Sequence, residues 1–229
     1  MELIKVEIWS DIRCPFCYLG KRRFEKALEQ FPDKEHVTVE WRSFQLDPYL
    51  VTHPALSVYD HLAEKKGISR EQAVQMHEQI SLQAQQLGIV YNFDKAIVAN
   101  SFNAHRLSHL AKTFNVEDAI QESLFKAYFT DGINISDIDS LVMLGKELGI
   151  PGEVSQAMLQ SEDFTDNILL DENYARELGI NAVPFFLFNE NLSVRGAQKP
   201  ESFLQALLKC RDVAASPDEK AKTYFFRNL

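Results

Sequence analysis

The opening forty-four residues restrict the fold more than any other part of the chain. "LIKVEIW", from Leu3 to Trp9, is rich in β-branched residues and partly alternates polar with apolar, the two-residue period of a strand. Residues 15–31, "PFCYLGKRRFEKALEQF", then set Phe24, Ala27, Leu28 and Phe31 at helical spacing. A proline suits the start of that helix, because the N–H it lacks would have no intrahelical acceptor in the first turn. "HVTVEWRSF", 36–44, returns to alternation. Strand, helix and strand in so short a span predict a right-handed crossover between two parallel strands.

The seam between that first strand and helix, "DIRCPFCYLG" at 11–20, holds two of the three cysteines in the chain. Cys14 falls at the helix N-terminus, where free N–H groups and the helix dipole favour negative charge, hence thiolate over thiol. Cys17 follows one turn along, near enough to close a disulfide. Neither Pro15 nor Phe16 brings a charge that would quench the thiolate, and Asp11 is close in sequence with no direction fixed. In thiol–disulfide exchange Cys14 attacks and Cys17 resolves. Two other readings stay open. Zinc needs four ligands; Cys210 is the only other thiol, and His105 and His109, on one helix face, lie far outside finger spacing. The pair could also be buried as small apolar side chains. Its place in a βαβ unit of a cysteine-poor chain favours redox chemistry, with no metal.

Composition narrows the partners. With 45% hydrophobic and 25% charged residues the 229-residue chain reads as globular, and its formal charge of −9 argues against a nucleic-acid partner. No run approaches a membrane span, and "MELIKVEIWSD" lacks the apolar stretch of a signal peptide. A cytoplasmic location follows, where structural disulfides are uncommon. The charge and the aromatic tail are compatible with a monomer or a homodimer.

From residue 57 to 177 the pattern changes to helices. "SREQ" at 69–72 is a capping box opening a helix to residue 87, and apolar residues recur at helical spacing over 99–114, 116–129, 137–148 and 163–178. Gly149 and Pro151 mark a break. Strands then return: "PFFLF" at 184–188 and "LSVRG" at 192–196 flank the turn "NEN", and "KPESFLQALLKC" at 199–210 is a last amphipathic helix. The order βαβ, helical block, ββα predicts an α/β domain at 1–56 and 178–213, a helical insertion at 57–177 and a tail at 214–229. Cys210 reads as structural. Pro184 belongs at the edge of its strand, and the residues alone leave the isomer of the Val183–Pro184 bond open.

Taken together, Cys-Pro-Phe-Cys after a first strand, Val-Pro before a late strand and helices between resemble the thioredoxin superfamily. More narrowly, "VEIWSDIRCPFCYLGKRRFEKAL", "NSFNAHRLSHLAK" and "GINAVPFFLFNENLSVRGAQKPESF" are similar to its DsbA-like branch and to FrnE-like dithiol–disulfide oxidoreductases and isomerases, over residues 3–210. The resemblance implies a thioredoxin-like fold with a large all-helical insertion, an exposed nucleophile Cys14 and a buried resolving Cys17. It also implies a cis Pro184 facing the pair, with the Val183 backbone bonding an extended substrate. Pro15 and Phe16, between the thiols, join Val183, Asn100, His105 and Arg106 as candidate substrate contacts; the last three match positions that face the active site in relatives. Relatives commonly carry Gly where this chain has Ala182. The implied activity is exchange with disulfide-containing proteins or small thiols, needing no cofactor, with glutathione as a conceivable co-substrate. The alternative is a glutathione-dependent isomerase or transferase of the kappa class or the 2-hydroxychromene-2-carboxylate isomerase type; those relatives carry serine in place of Cys14.

Overall fold

The computed structural model of the protein describes residues 3–215; the aromatic residues of the tail, Tyr224, Phe225 and Phe226, lie outside them. In chain order they form β1 (Ile4–Ser10), α1 (Pro15–Gln30), β2 (Val37–Ser43), β3 (His53–Ser57), α2 (Val58–Lys66), α3 (Arg70–Gln85), β4 (Ile97–Val98), α4 (Phe102–Thr113), α5 (Glu117–Lys126), α6 (Ile138–Glu147), α7 (Gly152–Gln160), α8 (Thr165–Glu177), β5 (Phe185–Phe188), β6 (Leu192–Arg195) and α9 (Pro200–Ala215).

The main sheet has the order β2-β1-β5-β6. β1 and β2 run parallel in full register, Ile4 opposite Val37 through Ser10 opposite Ser43, and α1 is the crossover between them. β5 lies antiparallel on the other edge of β1, and β6 antiparallel on β5. The turn between β5 and β6 puts Asn189 and Glu190 at φ 46° and 58°. Asparagine tolerates that left-handed region better than most residues, and Asn189 also clasps Lys5 through both its backbone and its side chain.

Alternation divides the sheet into two faces. Ile4, Val6, Ile8, Phe186 and Phe188 pack with Phe24, Ala27 and Phe31 of α1 and Phe203, Leu207 and Cys210 of α9. Ring centroids there approach to 4.6 Å for Phe186 and Phe203, so each ring adds a few kcal/mol of burial, about 1.5–3. Trp9, Phe185 and Leu187 point the other way, into a larger apolar cluster continuous with the helical block. α8 covers this second face. Its buried Asp171 accepts from the Ser43 amide at 2.8 Å and from Arg42 at 3.0 Å, while its carbonyl accepts from the Trp9 indole at 3.1 Å.

Between β2 and β5 the chain is mainly helical. The capping box at Ser69 and Gln72 forms, at 3.2 and 2.9 Å. Four elements were not expected from the sequence: α2, α7, and the strands β3 and β4, which pair as a small ladder inside the otherwise helical stretch. α5 runs on into a π-helical turn, Ala127–Asp131, which closes on Gly132 at φ 72°. A side chain at Gly132 would also meet the Lys95 carbonyl at 2.7 Å, so glycine is required there on two counts. Among the described residues no helix is long and apolar enough to cross a membrane.

Candidate active site

Cys14 is the N-cap of α1, with Pro15 as the first helical residue. Its amide donates to the Asp11 carbonyl at 3.0 Å, and the Cys17 amide donates to the Cys14 carbonyl at 2.9 Å, a turn that lets the two side chains hydrogen-bond each other. All three cysteines are free thiols. Burial pushes the Cys17 thiol well above the ordinary range, and the hydrogen bond and charge of Cys14 push it further. Cys17 therefore holds its proton while Cys14 is reduced.

The loop before β5 faces this pair. The Val183–Pro184 peptide is cis, and the Cys14 thiol donates to the Val183 carbonyl at 3.7 Å. Pro184 is fixed from two sides. Its carbonyl accepts from the Gly196 amide at 2.8 Å, and its ring lies so close to α1 that a Cβ built on Gly20 would sit 2.8 Å from its Cγ.

The expected exposed nucleophile is instead enclosed: Cys14 is 4% exposed and Cys17 1%. The cause is the helical block, which closes over the start of α1 and leaves a cavity of about 490 Å³. Cys14, Pro15 and Phe16 form its floor, α2 and α3 bring Val58, His61 and Ile80, and the π-helical turn brings Tyr128 and Phe129. Tyr91 braces the junction, donating from its hydroxyl to the Pro15 carbonyl at 2.6 Å. Its phenol is raised by burial first and by the nearby thiols, so it stays a donor.

The other expected contacts divide. Asn100 uses its whole side-chain amide elsewhere: Nδ2 donates to the carbonyls of Pro48 and Leu50, and Oδ1 accepts from the Phe102 amide and Gln45. Arg106 is a clamp, donating to the carbonyls of Met158, Leu159, Ser161 and Asp163 in the turn from α7 to α8. Neither lines the cavity; the polar groups of Asn100 and Arg106 satisfy backbone groups instead. His105 reaches the site at one remove. It is buried, with Nε2 3.7 Å from Asp11 Oδ1, whereas His109, one turn on, faces Asp171 and Ser43.

Asp11 takes a direction the sequence did not supply. Its carboxylate accepts from the Arg13 amide at 3.1 Å and the Leu46 amide at 2.8 Å. Burial is the largest single influence and opposes ionisation, but His105, Arg13 and the Leu46 amide outweigh it and hold the group below its usual range. Arg13, His61 and Tyr91 were missed altogether. Arg13 adjoins Cys14 in sequence, which is a signal; His61 and Tyr91 carry none, because the helical block brings them in from a distance.

The "DSBA-like thioredoxin domain" family model matches residues 5–208 of this chain. Among solved structures, the probable DsbA oxidoreductase SCO1869 from Streptomyces coelicolor is 37% identical, with a TM-score of 0.86, covering 91% of this chain and 90% of that one. The uncharacterized protein YwbO of Bacillus subtilis (strain 168) is 29% identical over 210 residues, 89% of this chain and 96% of its own length. A 2-hydroxychromene-2-carboxylate isomerase shares the fold at 17% identity and a TM-score of 0.66, over 92% of this chain and 98% of that one.

Proposed function

The chain belongs to the family of DSBA-like thioredoxin domains, and from that premise we propose that it is a thiol–disulfide oxidoreductase or isomerase working through Cys14 and Cys17. The observation that carries this reading is the thiol pair at the start of α1, with Cys14 against the Val183 carbonyl. The Cys14 sulfur, as thiolate, attacks a substrate disulfide, forming a mixed disulfide and releasing one thiolate. Two of the influences that hold the proton on Cys17 then vanish, because Cys14 no longer offers charge or a hydrogen bond to it. Cys17 gives its proton to solvent and bonds to Cys14, releasing the second thiolate. The substrate gains two electrons and the pair loses two; a dithiol or small thiol resets it. The reading places this exchange in the cytoplasm, on protein or small-molecule disulfides.

Fold similarity alone would equally suit a glutathione-dependent isomerase, but that chemistry has no use for two thiols. The deciding experiment is dithiothreitol-driven insulin reduction by the wild type and Cys14→Ser. Loss of activity in the variant is expected. Activity that survives it overturns the proposal, and chromene-carboxylate isomerisation that survives it with glutathione present would install the alternative.

A further inference from the structure

The cavity above Cys14 has a cationic wall that exchange chemistry by itself does not use. Arg13, His61, Lys65 and Lys66 all line it, in a chain whose formal charge is −9. Lys65 is paired with Asp47 at 3.0 Å. Arg13 is different: its guanidinium lies beside the Tyr128 hydroxyl, yet Nε and Nη1 are buried with no acceptor in the protein. Nε2 of His61 is likewise buried and unpartnered. His61 is held below the usual imidazole range by burial and then by the charges of Arg13 and Lys65, with Asp47 and Glu64 pulling the other way, so these groups share one space. Asp11 answers the Arg13 charge only from a distance: its oxygens accept from the Arg13 and Leu46 amides and face His105, and none accepts from the guanidinium. Much of the remaining lining is apolar: Val58, Ile80, Phe93, Val98 and Phe129.

Buried charged donors without an acceptor destabilise a fold, and an anion brought in by a ligand removes that cost. We propose that this wall selects the substrate: a disulfide that carries a carboxylate on an aromatic or aliphatic body. Its carboxylate is held by the Arg13 guanidinium and by His61, its body lies on the apolar lining, and its sulfur meets Cys14. The inference rests on the exchange activity proposed above and names the class of substrate that activity takes.

The test uses two aromatic disulfides, the anionic dithiobis(nitrobenzoate) and the neutral dithiodipyridine. With the first, Cys14 bonds to one probe sulfur, the probe S–S bond breaks and thionitrobenzoate leaves with the electron pair. Cys17 then loses its proton to buffer, bonds to Cys14 and expels the second thionitrobenzoate; the protein is oxidised by two electrons and the probe reduced by two. Rates with the reduced full-length protein are divided by the rates of mercaptoethanol with each probe. The normalised rate should favour the anionic probe by roughly 10- to 100-fold, the size of one charge-assisted hydrogen bond. Arg13→Gln should erase most of that ratio. A wild-type ratio near one, or a ratio that a folded Arg13→Gln protein retains, overturns the proposal. Should that variant not fold, the wild type decides: its ratio must shrink as salt rises from about 0.02 to 0.5 M, and a salt-independent ratio overturns it. The premise is read separately by mass. If neither probe yields a Cys14–Cys17 disulfide, the exchange reading falls and this inference with it; if both do without charge preference, only the inference falls.

Discussion

Gly20→Ala tests how the thiol helix and the proline loop are held together. Within α1, alanine is the better residue by up to about 1 kcal/mol, so propensity alone predicts a gain. Packing predicts the reverse. The new Cβ would lie 2.8 Å from Pro184 Cγ and 3.4 Å from Phe186 Cζ, so the ring must retreat by about 0.6 Å to reach even a 3.4 Å contact. Overpacking of this kind costs about 1–3 kcal/mol, which exceeds the helical gain. The expected net loss is about 1 kcal/mol, or about 3 °C in thermal midpoint for a chain of this size. The Pro184 carbonyl is tied to Gly196, so the displacement passes toward Val183 and lengthens the 3.7 Å contact to Cys14. A shift of that size at a reacting group should slow exchange about tenfold. Circular-dichroism melts and insulin reduction measure the two effects. In a Pro184→Ala background, where the clashing Cγ is gone, Gly20→Ala should lose less or even stabilise. A raised midpoint for Gly20→Ala alone, with exchange unchanged, would refute the reasoning.

Three further outcomes follow from the same geometry. Glu117 is pushed up to about 7, by burial first and then by Glu40 and Asp171, against Lys112 and the Trp41 amide. A carboxyl raised above its unfolded value lends stability that is complete below about pH 4.5 and lost as pH rises through 7. Glu117→Gln should therefore melt higher than wild type at pH 8, by about 1–2 kcal/mol once partial exposure is discounted, with little of that advantage at pH 5; an equal difference at both pH values would count against it. Arg106→Met should remove the guanidinium donor from the Leu159, Ser161 and Asp163 carbonyls and cost about 2–4 kcal/mol in urea unfolding, while the protein that remains folded exchanges disulfides at the wild-type rate; a selective loss of exchange would return Arg106 to the active site. Cys17→Ser should trap a mixed disulfide on Cys14, visible by mass, and in the reduced wild type iodoacetamide should modify Cys14 before Cys17 or Cys210, whose thiol burial raises to about 11; modification of Cys17 first would reverse the assigned roles.

How far the sequence could be read depended on whether a feature leaves a local period. β1, α1 and β2 carry a local period, β5 is a short unbroken apolar run set off by a turn, and the fold follows from them. α2 does not: only Val58 of its nine residues is buried, so it has no stripe to detect. α7 starts directly after Pro151, where a proline and two nearby glycines read as a break. β3 is mostly exposed and pairs with a strand of two residues, too short for any alternation. The site divides in the same way. Cys14, Cys17 and Pro184 stand in recognisable settings, whereas the reach of Arg106 depends on carbonyls more than fifty residues away, at the end of α7 and in the turn that follows it. No spacing in the sequence encodes that turn.

The enclosure of Cys14 separates two tasks along the chain. Its chemistry is set where β1 meets α1 and where Val183 approaches, all within the sheet and its crossover helix. Access to it is set by α2, α3 and the π-helical turn, whose side chains form the walls of the cavity. A thiol pair on an open surface would meet any disulfide that diffuses past, and its selectivity would rest on the few residues beside it. Under the proposed exchange reading, a disulfide would have to enter a cavity lined by Ile80, Phe93 and Phe129 as well as Arg13 and His61 before it met Cys14. On that reading the helical block could change in sequence, and the range of substrates with it, without disturbing the hydrogen bond and charge of Cys14 that help keep the proton on Cys17.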